Sequence, residues 1–223
     1  MRLVIIDGID NAGKSAVIER VKFECPEVEK CAFPSNQLAN SLEFQNVAKD
    51  PSPENRTAWY SALMQEEKDV LSSFQSNSTI LVDRMWFSTL IYQGGGPTTL
   101  FEEERKINGL YNSLMKELGL YPEDVFHVIL RYPVSTNTDK ETNKAKRSFD
   151  KKRKSLFEKQ ENLIADLHKP KPLVWSPYFK NLHIFSEPDL KAAFEKGVQL
   201  GGDDLDDIQY SRSSFIIDEF IRS

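Results

Sequence analysis

The chain has 223 residues, 39% of them hydrophobic and 28% charged, with a formal net charge of -5. That length and balance predict one sizeable globular domain and exclude a disordered or low-complexity chain. The acidic sum argues against a protein that coats nucleic acid, and no run approaches the roughly 18 apolar residues of a membrane span.

The first element is the apolar run "LVII", from Leu3, read as a strand that stops at a glycine loop. Asp7 interrupts this run too early for a signal-peptide core, so a cytoplasmic protein is expected. "SAVIERVKF" places Val17, Ile18 and Val21, with Phe23 beside them, along one side of a helix. Glu29 to Phe33 is a second strand, ended by Pro34. Its Cys31 and the nearby Cys25 fit neither a zinc knuckle nor a disulfide framework and read as reduced thiols. Pro51 and Pro53 break the chain, and "PENRTAWYSALMQEEKDVLSSF" has the period of a long helix.

Ser78 to Asp83 is a third strand, and a helix over "FSTLIYQ" ends at Gly94-Gly95-Gly96-Pro97. "FEEERKINGLYNSLMKEL" is helical, and Asp124 to Leu130 is a fourth strand. A basic stretch follows whose second half has helical spacing, then a proline-punctuated loop, a fifth strand at Leu182 to Phe185, and a helix over "DLKAAFEKGVQ". The tail from Gly201 reads as an acidic surface turn and an edge element. Strands alternating with helices predict an α/β fold of three layers, a five-stranded parallel sheet flanked by helices. With no internal repeat and no long linker, residues 1–223 are expected to form a single domain.

Gly8, Gly13, Lys14 and Ser15 complete the pattern G-x-x-x-x-G-K-[ST] between a strand and an amphipathic helix. Glycines let successive backbone N–H groups converge on a phosphate, and the helix that opens at the loop points its positive end at the same anion. Lys14 adds a point charge for the β- and γ-phosphates, while the Ser15 hydroxyl suits a magnesium shell. A nucleoside triphosphate and Mg2+ are therefore expected, with Gly8, Asn11, Ala12, Gly13, Lys14, Ser15 and Ala16 around the nucleotide. The markers of a GTPase switch are missing, since "NTDK" does not complete N-K-x-D, and a small P-loop kinase is favoured.

Asp83 closes the third strand, where a parallel sheet gathers its ligands, and Arg84 beside it can grip an anionic oxygen. A structural Asp–Arg pair is the plain alternative. The stretches "DGIDNAGKS" and "DRMWFSTLIYQGGG" together resemble the thymidylate kinase family of nucleoside monophosphate kinases. Bacterial members carry D/E-R-x-x-x-S-T-x-x-Y-Q-G-G-G after the same strand, matched here at Asp83, Arg84, Ser88, Thr89, Tyr92, Gln93 and the glycines. Phe33-Pro34 and Tyr60-Ser61-Ala62 fit two further family positions more loosely, and the resemblance covers residues 3 to 96.

The resemblance implies transfer of the ATP γ-phosphoryl to the 5′-phosphate of dTMP. It implies Asp10 on the sugar 3′-hydroxyl and Arg84 on the acceptor phosphate. At its strand end Asp83 can hold magnesium, with the Ser15 hydroxyl of the loop, or orient the acceptor. Tyr60 takes the place of the family's base-stacking phenylalanine, although helix core explains it as well, and Phe33, Ser88, Tyr92 and Gln93 line the pocket. One branch of the family has an arginine in the loop, where this chain has the neutral Asn11, so a basic lid over residues 136–154 is expected to supply the cation. From Lys140 to Lys154 the stretch holds eight basic residues against Glu141 and Asp150. A solvated helix face is the ordinary reading of such a run. As a lid, its transition-state cation is Arg147, with Lys144 and Lys146 next.

Three positions depart from the family. Ala16 lacks a second hydroxyl, Ser35 stands where an arginine is common, and Met64 replaces an arginine at the base edge. Arg56 or Gln65 are the candidates to compensate. The expected acceptor is dTMP or a related, modified deoxypyrimidine monophosphate. The rivals are a deoxynucleoside kinase, a nucleotide-binding regulatory module without turnover, and a kinase of bases within DNA. Small nucleotides are the expected partners, and neither a membrane nor nucleic acid is. A homodimer through the apolar positions of "WYSALMQEEKDVLSSF" and "FSTLIY" competes with core burial of the same residues.

Overall fold

The structure, a computed structural model, describes residues 1–10, 12, 14–93, 100–131, 144–167, 176–185, 217 and 220–222. Five strands form one parallel sheet: β1 (Arg2–Asp7), β2 (Glu29–Ala32), β3 (Thr79–Asp83), β4 (Val125–Leu130) and β5 (Asn181–Phe185), in the order β2-β3-β1-β4-β5. The fold class read from the sequence is the one observed, and all five strands lie where their apolar runs predict. β1 is central, and Leu3 to Asp7 are fully buried, as a strand covered on both faces must be.

Seven helices are described: α1 (Lys14–Glu24), α2 (Asn36–Ala39), α3 (Leu42–Lys49), α4 (Pro53–Ser72), α5 (Trp86–Gln93), α6 (Leu100–Glu117) and α7 (Lys144–Leu167). On α1 Val17, Ile18 and Val21 are buried as expected, but Phe23, two residues past Val21 and so on the other side of the helix, is exposed. The helices α2 and α3 are not expected from the sequence. Both begin at serines whose hydroxyls accept a backbone N–H three residues on, Ser35 from Leu38 and Ser41 from Phe44. Such caps satisfy one of the donors a helix start leaves open. The apolar positions of α4 and α5, including Trp59, Tyr60, Leu63, Trp86, Phe87 and Leu90, are buried in the chain's own core.

Register sets the site. Ile6 pairs with Asp83 and Asp7 with Ile129, so β1, β3 and β4 end side by side, at the edge where parallel sheets bind ligands. The opposite edge is covered by the end of the chain. Phe220 stacks on Phe126 of β4 at 4.8 Å, and Arg2 donates to the Phe220 carbonyl at 3.3 Å. Ile217 is buried, and it and residues 220–222 are helical, so this part of the tail is a helical cover and not the edge element expected. The remainder of the tail, the helix expected over "DLKAAFEKGVQ" and residues 136–143 of the lid lie outside the described residues, while residues 144–154 of the lid form the start of α7.

Candidate functional site

The chain leaves β1 through Gly8, whose φ of +146° is open only to glycine without strain. A Cβ there would stand 2.5 Å from the Leu130 carbonyl oxygen, so β1 and β4 approach too closely for any side chain. Lys14, the first residue of α1, turns back over the loop, and its Nζ donates to Gly8 O at 3.0 Å and Ile9 O at 2.8 Å. Burial chiefly, and then the nearby Arg84 charge, pull the Lys14 ammonium down to about 8 against the opposing carboxylates of Asp83, Asp10 and Asp7. Ala12 is buried and donates its N–H to Ile9 O, while Ser15 and Ala16 are exposed on the first turn of α1. Asn11 and Gly13 lie outside the described residues.

Asp83 and Arg84 follow from β3. One Asp83 carboxylate oxygen, Oδ1, is buried and has no hydrogen-bond partner among the described residues. Arg84 adopts φ +71°, the left-handed region, as the chain turns from β3 into α5, and its N–H donates to Ile6 O at 3.0 Å. Its guanidinium pairs with the Asp10 carboxylate and lies 5.3 Å from the centre of the Tyr92 ring. The Tyr92 hydroxyl accepts the Asp10 N–H at 2.8 Å. Burial opposes a charge on Asp10, but the Arg84 hydrogen bond and charge outweigh it and hold the carboxyl below the usual range. Three side chains from the loop, from β3's end and from α5 thus form one network.

Beside this network is a cavity of about 200 Å³, lined by residues that include Phe33, Phe44, Trp59, Leu63, Arg84 and Tyr92. Its aromatic wall comes from α3 and α4, where Phe44 and Trp59 meet edge to face at 5.2 Å. Tyr60 and Met64 are not among the lining residues. On α4 the lining residues are Trp59 and Leu63, one position earlier on each turn than the expected Tyr60 and Met64. Tyr60 instead is buried, its ring 5.9 Å from the Lys106 ammonium of α6. Neither expected compensator lines the cavity: Arg56 donates to the Pro51 carbonyl, and Gln65 to Asp69 at 2.8 Å.

Phe33, Asp10, Ser88 and Tyr92 do line it; the Gln93 side chain lies outside the described part. Ser35 is held away from solvent by Glu66 of α4, which accepts its N–H at 3.0 Å and its hydroxyl as well. That clamp fixes the Phe33-Pro34 segment against the cavity. Glu66→Ala is expected to lower stability by about 2 kcal/mol, read as an earlier midpoint in urea unfolding.

Two buried carboxyls were not singled out in the sequence. Asp7 Oδ1 accepts the N–H groups of Met85 at 3.1 Å and Ser88 at 3.2 Å, and the Ser88 hydroxyl. A residue of β1 therefore caps α5 from outside the helix. Burial pushes the Asp7 carboxyl up in spite of those bonds. Glu67 is fully buried with neither oxygen hydrogen-bonded among the described residues, and burial first, then Asp7 and Glu66, drive its carboxyl well above the usual range. Asp7 was visible only as the residue that interrupts an apolar run. Cys31 is inert by the same logic, its thiol pushed up to about 12 by burial and by the carboxylates of Glu67 and Asp83.

Lys144, Lys146 and Arg147 fall in the first turn of α7, and their side chains lie outside the described part. The far half of the same helix is docked. Gln160 accepts the Ile9 N–H at 3.0 Å, and Glu161 pairs with Arg131 just after β4.

The strand order, the glycine loop after β1 and the lysine folded over it define a three-layer α/β protein with the P-loop NTPase fold. Among solved structures similar to this chain is a thymidylate kinase from Ehrlichia chaffeensis, at 14% identity and TM-score 0.48, over 87% of this chain and 98% of that one. A thymidylate kinase from Candida albicans aligns at 11% identity and TM-score 0.47, over 87% of this chain and 89% of that one. No protein-family model matches the chain, and no curated protein does.

Proposed function

We propose that the protein is a deoxynucleoside monophosphate kinase that transfers the ATP γ-phosphoryl to the 5′-phosphate of dTMP or a related deoxypyrimidine monophosphate. The observation that carries this reading is the Asp10–Arg84–Tyr92 network, which places a carboxylate and a guanidinium between the glycine loop and an aromatic cavity. In that arrangement the loop holds ATP and the cavity holds the acceptor. Arg84 exchanges its bond to Asp10 for the acceptor phosphate, which frees Asp10 for the sugar hydroxyl. Phosphoryl transfer needs little more than in-line positioning and cancellation of charge.

Asp83 and Ser15 suit a magnesium ion. A buried carboxylate oxygen without a donor and an open hydroxyl, at the carboxyl edge of the sheet, are hard oxygen ligands. When bound, the ion neutralises charge on the β- and γ-phosphates. Lys14 supplies the same service from the protein, and Arg147 with Lys144 and Lys146 closes over the γ-phosphate from α7. Asn11, Gly13, Ala12 and Ala16 complete the nucleotide loop with Gly8.

The wall of Phe33, Phe44, Trp59 and Leu63 supports recognition of a base by shape, and an apolar substituent on a pyrimidine suits it better than a polar edge. One observation favours the rival deoxynucleoside kinase: Arg84 is the single cation among the described lining residues, and a nucleoside carries no phosphate to hold. The decisive assay offers ATP and magnesium with each common nucleoside monophosphate, 5-substituted dUMP analogues, thymidine and deoxyuridine, with products identified by mass. Transfer to a deoxypyrimidine monophosphate is expected, with the corresponding nucleosides silent. Transfer to nucleosides alone would replace this reading with its rival.

A further inference from the structure

We infer that Gln160 is a positioning residue for Lys14, acting through the Gly8–Ile9 peptide of the glycine loop. The inference rests on the kinase reading for its effect on turnover, though not for its effect on the loop. Gln160 is fully buried on α7, and its Oε1 accepts the Ile9 N–H across 151 residues of sequence at 3.0 Å. The Ile9 N–H and the Gly8 carbonyl belong to one planar peptide unit. That carbonyl accepts the Lys14 ammonium at 3.0 Å, and the next carbonyl, Ile9 O, accepts it at 2.8 Å. Gln160 thus holds one end of a rigid plate whose other end holds the lysine.

A stability role explains the residue poorly. The other half of its amide, Nε2, is buried with no partner among the described residues, which costs free energy that an apolar side chain of the same size would not. Its neighbours anchor α7 to the rest of the site. Lys159 donates to the Ile91 carbonyl of α5 at 3.4 Å, and Glu161 pairs with Arg131 at the end of β4. The helix that begins with Lys144, Lys146 and Arg147 therefore ends its docking on the loop. Any displacement of α7 reaches the Gly8–Ile9 plane through Gln160 and turns the carbonyl on which Lys14 rests.

The test compares Gln160→Leu, which keeps the volume and removes the acceptor, with Gln160→Glu, which keeps an acceptor oxygen. In the ligand-free proteins, amide hydrogen exchange at Ile9 is expected to accelerate about tenfold in Gln160→Leu and to stay slow in Gln160→Glu. In turnover, kcat is expected to fall about tenfold to a hundredfold in Gln160→Leu with the acceptor KM little changed, and to recover largely in Gln160→Glu. Unaltered Ile9 exchange in Gln160→Leu, or equal loss in both variants, would overturn the inference. Should Gln160→Leu fail to fold, Gln160→Asn takes its place, since it keeps the amide and withdraws it from Ile9. A wild-type protein that transfers no phosphate would remove the kinase reading, and the exchange comparison would still decide the role of Gln160.

Discussion

Replacing Lys14 with methionine is expected to lower kcat/KM for ATP about a thousandfold and to leave the fold intact. The ammonium already rests on Gly8 O and Ile9 O, so binding need only exchange those carbonyls for phosphate oxygens. Methionine keeps the stem that packs against the loop, and it relieves the burial of a charge while losing two hydrogen bonds. The net change in stability should stay within about 2 kcal/mol, read by thermal unfolding.

The wild-type lysine should also leave its mark on the pH profile. Its ammonium, pulled down to about 8, loses its proton well before a free lysine does. From about 8 to the ordinary 10.5, the unfolded chain holds a proton that the folded chain has released, so this group's contribution makes folding more favourable as pH rises. Function runs the other way, because the neutral amine holds phosphate poorly. kcat/KM for ATP should descend above about pH 8, since that parameter reports the free enzyme. A flat profile through pH 10, or a methionine variant with wild-type rates, would show that the charge at the phosphates comes from elsewhere.

Gly8→Ala is expected to lower stability by about 3 kcal/mol or more, roughly 10 °C in melting temperature, and to abolish ATP binding. Two causes act together. An alanine at φ +146° is strained, and its Cβ would press into the Leu130 carbonyl oxygen at 2.5 Å. That oxygen cannot step aside, because Leu130 is fixed by the pairing of β4 with β1 and β5. Relief has to come from the loop moving away from β4, which would pull Ile9 from Gln160 and the two carbonyls from Lys14. Calorimetry of the variant, with and without ATP, separates the two effects. A variant that melts like the wild type would mean the loop is free to shift, and the argument from close approach would fall.

The sheet was legible because its signal is local. Each strand is a short apolar run, and the helices between them are long enough to show their period. The two helices that went unread, α2 and α3, are short and depend on serine caps, which single residues announce weakly. The glycine loop was legible for a different reason, since its glycines, lysine and serine stand at fixed spacing within one short stretch. On α4 the cavity is lined one residue away from the positions that the family pattern singles out. Tyr60 with Met64 and Trp59 with Leu63 are both apolar pairs four apart, on adjacent faces of α4, and helical spacing has no means of choosing between neighbouring faces. Asp7, Glu66 and Gln160 were beyond reach because their partners lie on other elements. A polar residue in an otherwise apolar stretch announces that something is held, while what it holds is decided by the tertiary fold.

Trp59 gives the cavity an optical readout of its own. The indole stands in the wall edge-on to Phe44, where a molecule seated in the cavity would change what it packs against, and its emission would respond to occupancy. Of the other two tryptophans, Trp86 is sealed in the core against Phe179 and can be silenced as Trp86→Phe, while Trp175 lies outside the described residues. Acceptor affinity can therefore be titrated by fluorescence without label, ATP or turnover. A chain that seats a nucleotide and passes nothing on to it would give itself away in a single cuvette.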